Sequence, residues 1–199
     1  VRGGATTIDF DTLSLTPLAR TAVIGRVFAS ELAPGPGNIN AMNRPLAGVT
    51  ISVDGMEESL RAVTDAMGNF KLEPVPAGRF FVLVDGRTAT NGLPLGAHYP
   101  FVGKAWEAVA GRTDNPAGGT GEIYLPLIIA GTLQSVSPTA DTSITFPSSV
   151  VANNPALAGV SINVPANALF SENGTRGGKV GIAPVAPDRL PEPLPNGLN

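Results

Sequence analysis

The chain has 199 residues, 43% of them hydrophobic and 15% charged, which is enough apolar material for one large β domain or two small ones. The 24 Gly and 19 Pro residues favour short strands and tight turns over helices. A net charge of −3 argues against nucleic acid as a partner, no apolar run approaches the roughly 18 residues of a membrane span, and the absence of cysteine excludes disulfides and thiolate metal sites.

Residues 1–20 are interpreted as an N-terminal arm or the end of a preceding element. From Thr21, the run TAVIGRVFA alternates in the way expected of a strand that is buried on one face and partly covered on the other. The next stretch, SELAPGPGNINAMNRP, is rich in Pro and Gly. It predicts a long loop, and its part from Gly35 to Arg44 is a candidate contact loop.

The segment from Pro45 to Gly86 predicts four strands with short turns between them. They are GVTISVDG, SLRAVTD, NFKLEPV and AGRFFVLVDG, and the last is the most apolar and is expected to lie inside its sheet. Asp65 and Gly68 are placed to form the turn between the second and third strands, because aspartate bonds to following amides and glycine accepts a positive φ.

Residues 87–121 are interpreted as a long crossover loop, which carries the only His and the only Trp of the chain. EIYLPLII then predicts one further strand. Beyond Gly131 the sequence pattern changes, and three short strands are predicted at 143–146, 159–164 and 178–184. We therefore divide the chain into a first unit at 21–130 and a second, incomplete β unit at 131–199, because so few strands rarely stand alone.

Three motifs resemble the carboxypeptidase regulatory-like domain. They are PLAGV at the start of a strand, TDAMGNF in a hairpin, and VPAG before a long apolar strand, and they occur here in the family's order and spacing. The resemblance covers roughly residues 21–127. It implies a transthyretin-like, Ig-like Greek-key β-sandwich of about seven strands, a module that accompanies many different partners.

The remainder, from GVSINVPANALF to PDRLPEPLPNGL, is similar to the β segment that follows such a module in very large bacterial surface or secreted proteins. It is also similar to the plug-like segment beside the same module in large YD-repeat shell proteins. These resemblances imply a structural role, as a stalk, spacer, plug or fibre subunit. The implied partners are other domains of the same protein or neighbouring copies, and the implied location is extracellular or on the cell surface.

Candidate catalytic and metal-binding residues are few. His98 is the only imidazole and no GxSxG motif is present, so we expect a loop-anchoring or solvent-facing role for His98 and no enzymatic activity. Asp9 and Asp11 are the best candidate calcium ligands, with solvated strand-edge residues as the alternative. No other cofactor is expected.

A binding role is the alternative function. Tyr99, Phe101 and Trp106 lie close together in a chain that has only 6% aromatic residues, and such a cluster can stack on a sugar ring or anchor a protein partner. The other interpretation is that the three rings plug the open end of the sandwich or the seam between the two domains. The sequence therefore predicts a non-enzymatic structural module first, and a carbohydrate- or protein-binding adhesin domain that uses residues 98–106 second.

Overall fold

The computed structural model describes residues 15–32, 43–115, 121–129, 131–171, 173–185 and 189, which form an all-β structure with one short helix. The strands in chain order are β1 (Pro17–Leu18), β2 (Ala22–Leu32), β3 (Asn43–Pro45), β4 (Thr50–Val53), β5 (Arg61–Val63), β6 (Asn69–Leu72), β7 (Val75–Pro76), β8 (Gly78–Asp85), β9 (Phe101–Ala108), β10 (Thr113–Asp114), β11 (Glu122–Leu125), β12 (Leu133–Val136), β13 (Thr142–Thr145), β14 (Ser161–Val164) and β15 (Gly178–Gly181). The helix α1 is Ser148–Asn153, and 3₁₀ turns span Gly86–Thr88 and Pro155–Leu157.

The first sheet is built around β2, an 11-residue strand. Along one edge β2 pairs antiparallel with β6 and then with β3. Along its other edge β2 pairs parallel with β10 and then with β11. β2 and β11, which are the first and last strands of this sheet in chain order, therefore lie side by side and run in the same direction.

The second sheet has the order β5-β4-β8-β9 and is antiparallel throughout. β8 lies inside the sheet, as its apolar sequence predicts. β9 corrects the interpretation of residues 87–121 as a loop, because it pairs with β8 over eight residues. The two sheets face each other, and the expected all-β sandwich is confirmed.

The core lies between the inner faces of these two sheets. Alternate residues of β8 point inward, so that Phe80, Val82 and Val84 are buried. β2 is instead buried on both faces over residues 27–30. The largest fully buried side chains of this core are Trp106, Tyr99, Leu46, Ile51, Leu72, Ile123 and Leu125. Burying one such aliphatic side chain contributes about 1.5–3 kcal/mol relative to leaving it in water.

Residues 131–171 and 173–185 contain two separate antiparallel ribbons, β12 with β15 and β13 with β14. Every strand pairing among the described residues lies wholly on one side of residue 131, where the sequence predicts a domain boundary. Independent folding of the two parts stays a prediction. None of the described helices is long and apolar enough to cross a membrane.

Candidate functional site

The three aromatic residues of the predicted binding cluster lie in different environments. Phe101 and Trp106 belong to β9 and not to a loop, and Tyr99 directly precedes this strand. Tyr99 is 0% exposed and Trp106 is 1% exposed, whereas Phe101 is 45% exposed. Trp106 packs on Phe70, with the ring centroids 5.7 Å apart and the planes 12° from parallel. The exposed surface of three rings that the adhesin alternative requires is therefore not formed.

Phe101 itself is partly covered by a cation. The guanidinium of Arg87 lies 4.8 Å from the centre of the Phe101 ring and is held there by two hydrogen bonds of 2.8 and 2.9 Å to the carboxylate of Asp85. Those hydrogen bonds, followed by a backbone bond and the positive charge, lower the pKa of Asp85. One face of the ring is thus already occupied by a fixed charge of the same chain.

One end of the sandwich is closed by Glu31 and Tyr99. The phenol of Tyr99 donates a 2.5 Å hydrogen bond to Oε1 of Glu31, and the guanidinium of Arg44 lies 4.0 Å from the same oxygen. Burial is the main cause that raises the pKa of Tyr99, and the hydrogen bond and the charge of Glu31 add to it. This geometry supports the interpretation that an aromatic residue plugs the open end, for Tyr99 at least.

Glu31 is a residue that the sequence interpretation did not identify as important. The alternation of the sequence places Glu31 on the core side, because it shares one face of β2 with Val23, Val27 and Ala29. A carboxylate at the end of a core-facing series needs a polar partner, since an unpaired buried oxygen is costly. Tyr99 and Arg44 provide this for Oε1, while Oε2 is buried and has no hydrogen-bond partner among the described residues.

A cleft of about 410 Å³ opens on the first sheet, at the place where β10 has ended and β11 has not yet begun. Its lining includes Gly25, Arg26, Asn69 and Phe70. The Arg26 guanidinium already donates to the carbonyl of Met67 at 3.0 and 3.3 Å. The described lining contains apolar, amide and guanidinium groups, which can pack against a ligand and form hydrogen bonds with it.

His98 is held by its backbone. Its N–H donates to the carbonyl of Ile128 at 2.9 Å, and the N–H of Ile128 donates back to His98 at 2.8 Å. His98 therefore ties the segment before β9 to the chain just after β11. These contacts use the backbone alone, so the loop-anchoring or solvent-facing role of the imidazole stays a prediction.

The turn aspartates also have structural partners. Asp65 accepts hydrogen bonds from the N–H groups of Met67 and Asn69, both at 2.8 Å, and Asp114 accepts one from Val109 at 2.9 Å. The side chain and backbone of Asn69 lower the pKa of Asp65, and the Val109 amide lowers that of Asp114. The contacts of Asp65 match the turn role expected from the sequence.

The predicted calcium ligands Asp9 and Asp11 lie outside the described residues. Within the part of the chain that the structure describes, no three His, Asp or Glu side chains form a group that could hold a metal ion.

Arg189 joins the end of the described chain to the first sheet. Its side chain is only 8% exposed, and its guanidinium lies 5.3 Å from the centre of the Tyr124 ring on β11. The same group donates to the carbonyl of Ala29 at 3.5 Å and to the side chain of Asn43. The carbonyl of Arg189 accepts a 3.2 Å hydrogen bond from Ser30. The sequence carries no local signal for this contact.

Comparisons with known proteins add little to this geometry. No family model and no curated protein matches the chain. Among solved structures, the chain is similar to the crystal structure of a DUF3823 family protein from Parabacteroides merdae, at 12% sequence identity. The match covers 82% of this chain and 80% of that chain with a TM-score of 0.28, a value too low to define a shared fold.

Proposed function

We propose that this chain is a non-enzymatic structural module of a large extracellular or cell-surface bacterial protein, where it serves as a stalk, spacer or fibre subunit. The observation that carries the proposal is the parallel pairing of β2 with β10 and β11. The resemblance of residues 21–127 to the carboxypeptidase regulatory-like domain, an accessory module, supports the same role.

Parallel pairing determines how the sandwich responds to tension. The chain enters β2 at Ala22 and leaves β11 at Leu125, and because the strands are parallel these two points lie at opposite ends of the sheet. Pulling them apart slides β2 along its neighbours. All the hydrogen bonds between these strands then carry load together, instead of opening one after another as in a hairpin pulled from its open end.

Polar contacts around this sheet, made by side chains and by the backbone of His98, suit a load-bearing role. Tyr99 and Glu31 close one end of the sandwich, His98 joins the two segments that flank β9 and β11, and Asp65 stabilises the turn before β6. Each of these contacts links elements that would have to separate during extension.

Force spectroscopy on single molecules tests the proposal. The chain has no cysteine, so two engineered cysteines define the pulling points without interference. Ala19→Cys with Leu133→Cys places the force across β2 and β11, and both positions are exposed. We expect a high unfolding force with a single sharp rupture, because the parallel strands are loaded in shear.

The matched control pulls the same protein from another pair of points. Arg79→Cys and Glu107→Cys lie directly opposite each other at the end of the β8–β9 pair, so that force there opens one residue pair at a time. We expect a clearly lower rupture force in this geometry. Equal forces in the two geometries would contradict a load-bearing role for the parallel strands.

A further inference from the structure

The ribbon formed by β13 and β14 has an edge that no described strand occupies. β14 pairs with β13 from Thr142↔Val164 to Thr145↔Ser161, and its other edge has no strand partner among the described residues. Beside this edge, Val160 is 46% exposed and Ile162 is 40% exposed. Ile144 lies opposite Ile162 on β13 and is fully buried. One face of the ribbon is therefore apolar, and this face is buried at β13 and exposed at β14.

This edge lacks the usual protection against pairing. Natural edge strands carry lysine, proline, a bulge or an inward-pointing charge that discourages another strand from adding. The segment Val160–Val164, with the sequence VSINV, has no charged residue and no proline, and its pairing with β13 has no register shift. Another strand can therefore add to β14 without placing a charge in the new sheet.

The pattern of this segment is self-complementary. In an antiparallel pair centred on Ile162, this residue lies opposite its own copy, Val160 lies opposite Val164, and Ser161 lies opposite Asn163. Every apolar residue then meets an apolar residue and every polar residue meets a polar one. A two-fold axis requires such self-complementarity, because the same surface contributes both sides of the contact.

We propose that two copies of this chain associate through their β14 strands, antiparallel and centred on Ile162, to form a four-stranded sheet in the order β13-β14-β14-β13. A two-stranded ribbon is only marginally stable in water, whereas a sheet of three or more strands with one apolar face is stable. Association therefore supplies the additional strands that the second unit lacks. This inference rests on the proposed structural role, in which the β14–β14 pairing is the contact through which modules assemble. Its test uses none of the first-sandwich residues that the pulling experiment uses.

The first test is a disulfide that only this register allows. Residues opposite each other in an antiparallel pair have Cα atoms about 4.5–5.5 Å apart, which is within disulfide range. Ile162→Cys in the full chain is therefore expected to form a covalent dimer under mild oxidation. Ser143→Cys is the matched control, since this exposed residue lies on β13 and would be about three strand spacings, or about 14 Å, from its copy.

The second test uses charge and avoids any loss of an apolar side chain. Ser161→Lys with Asn163→Lys places like charges opposite each other twice in the dimer, and we expect association to weaken about tenfold. Ser161→Lys with Asn163→Glu places opposite charges there and should keep or strengthen the dimer. Both variants change the same two exposed positions, and circular dichroism checks that both fold. Sedimentation velocity over a range of concentrations measures the equilibrium.

Three results would overturn the inference. One is a native chain that stays monomeric at every concentration, as it would if another protein or another segment occupied this edge. Another is crosslinking of Ile162→Cys that is no faster than that of Ser143→Cys. The last is equal association of the two charge variants, which would show that any dimer uses a different surface.

Discussion

Glu31 and Tyr99 close the sandwich with a hydrogen bond that only the protonated phenol can donate. Their arrangement couples the proton of Tyr99 to folding, because ionising the phenol would place a second negative charge beside a partly buried carboxylate. The neighbouring Arg44 offsets this effect only in part, since burial and Glu31 still raise the pKa of Tyr99.

The stability of the protein should therefore fall in alkaline solution. The unfolded chain loses the Tyr99 proton near the usual pKa of 10.0, while the folded chain keeps it to a higher pH. The contribution of this group is complete below that value and declines as pH rises above it, with a slope of up to about 1.4 kcal/mol per pH unit. Urea unfolding at a series of pH values measures the decline.

Tyr99→Phe provides the control for this prediction. The variant lacks the titrating group, so its unfolding free energy should depend less on pH in the alkaline range. Some dependence should remain, because burial and Glu122 also raise the pKa of Tyr124. An alkaline decline as steep as that of the native chain would assign the effect to other groups.

Close approach between β2 and β6 depends on the absence of a side chain at Gly25. A Cβ at this position would lie 2.5 Å from the carbonyl oxygen of Gly121 and 2.9 Å from the ring of Phe70, which pairs directly with Gly25. The ring of Phe70 in turn stacks on Trp106 from the other sheet. Gly25 thus sets the spacing of three elements at once.

Gly25→Ala is expected to destabilise the fold by about 1–3 kcal/mol, the usual cost of overpacking a filled core. Gly92→Ala is the matched control, because a Cβ there meets no atom within 4 Å and its backbone does not have a positive φ. We expect the control to be neutral or slightly stabilising. Urea denaturation midpoints measure both variants, and a neutral Gly25→Ala would contradict the close packing.

The strands between Pro45 and Gly86 could be predicted from local sequence because each has regular alternation and a turn that its own residues specify. β9 could not, although it is eight residues long. Lys104 stands on the same face as Trp106, in a position where alternation calls for an apolar residue, and Gly103 interrupts the opposite face. Pairing with β8 determines this strand, and that information is not local.

The same limit applies to the candidate site. Aromatic residues are as common in cores as on binding surfaces, so the composition of residues 98–106 could not separate Phe101 from the buried Tyr99 and Trp106. The position of Arg189 depends on the return of the chain to β2 from about 160 residues further along the sequence. A contact of such separation leaves no periodic pattern in the sequence.

Arg189 links the chain beyond β15 to the first sandwich. It contacts β2 through Ala29, β3 through Asn43 and β11 through Tyr124, so that one side chain spans three strands of the same sheet. These contacts make the folding of the sandwich sensitive to residues far outside it.

Arg189→Ala should destabilise the protein by about 2 kcal/mol, because it removes hydrogen bonds to a charged group and uncovers the Tyr124 ring. Faster amide exchange is expected on β2 near Ala29. Arg176→Ala is the control, since this exposed residue lies over Phe170, at 5.1 Å, within the second part of the chain. Chemical denaturation and hydrogen exchange measure both variants, and equal effects would contradict a special role for Arg189.

Trp106 has a consequence for any optical study of this protein. It is the single tryptophan of the chain, it is shielded from water, and no group in the described part of the chain accepts a hydrogen bond from its indole N–H. Its fluorescence emission therefore reports on the interior of the first sandwich alone and carries no direct signal from residues 131–185. Far-ultraviolet circular dichroism records both parts, so the separation between the two melting curves would measure how strongly the parts depend on each other.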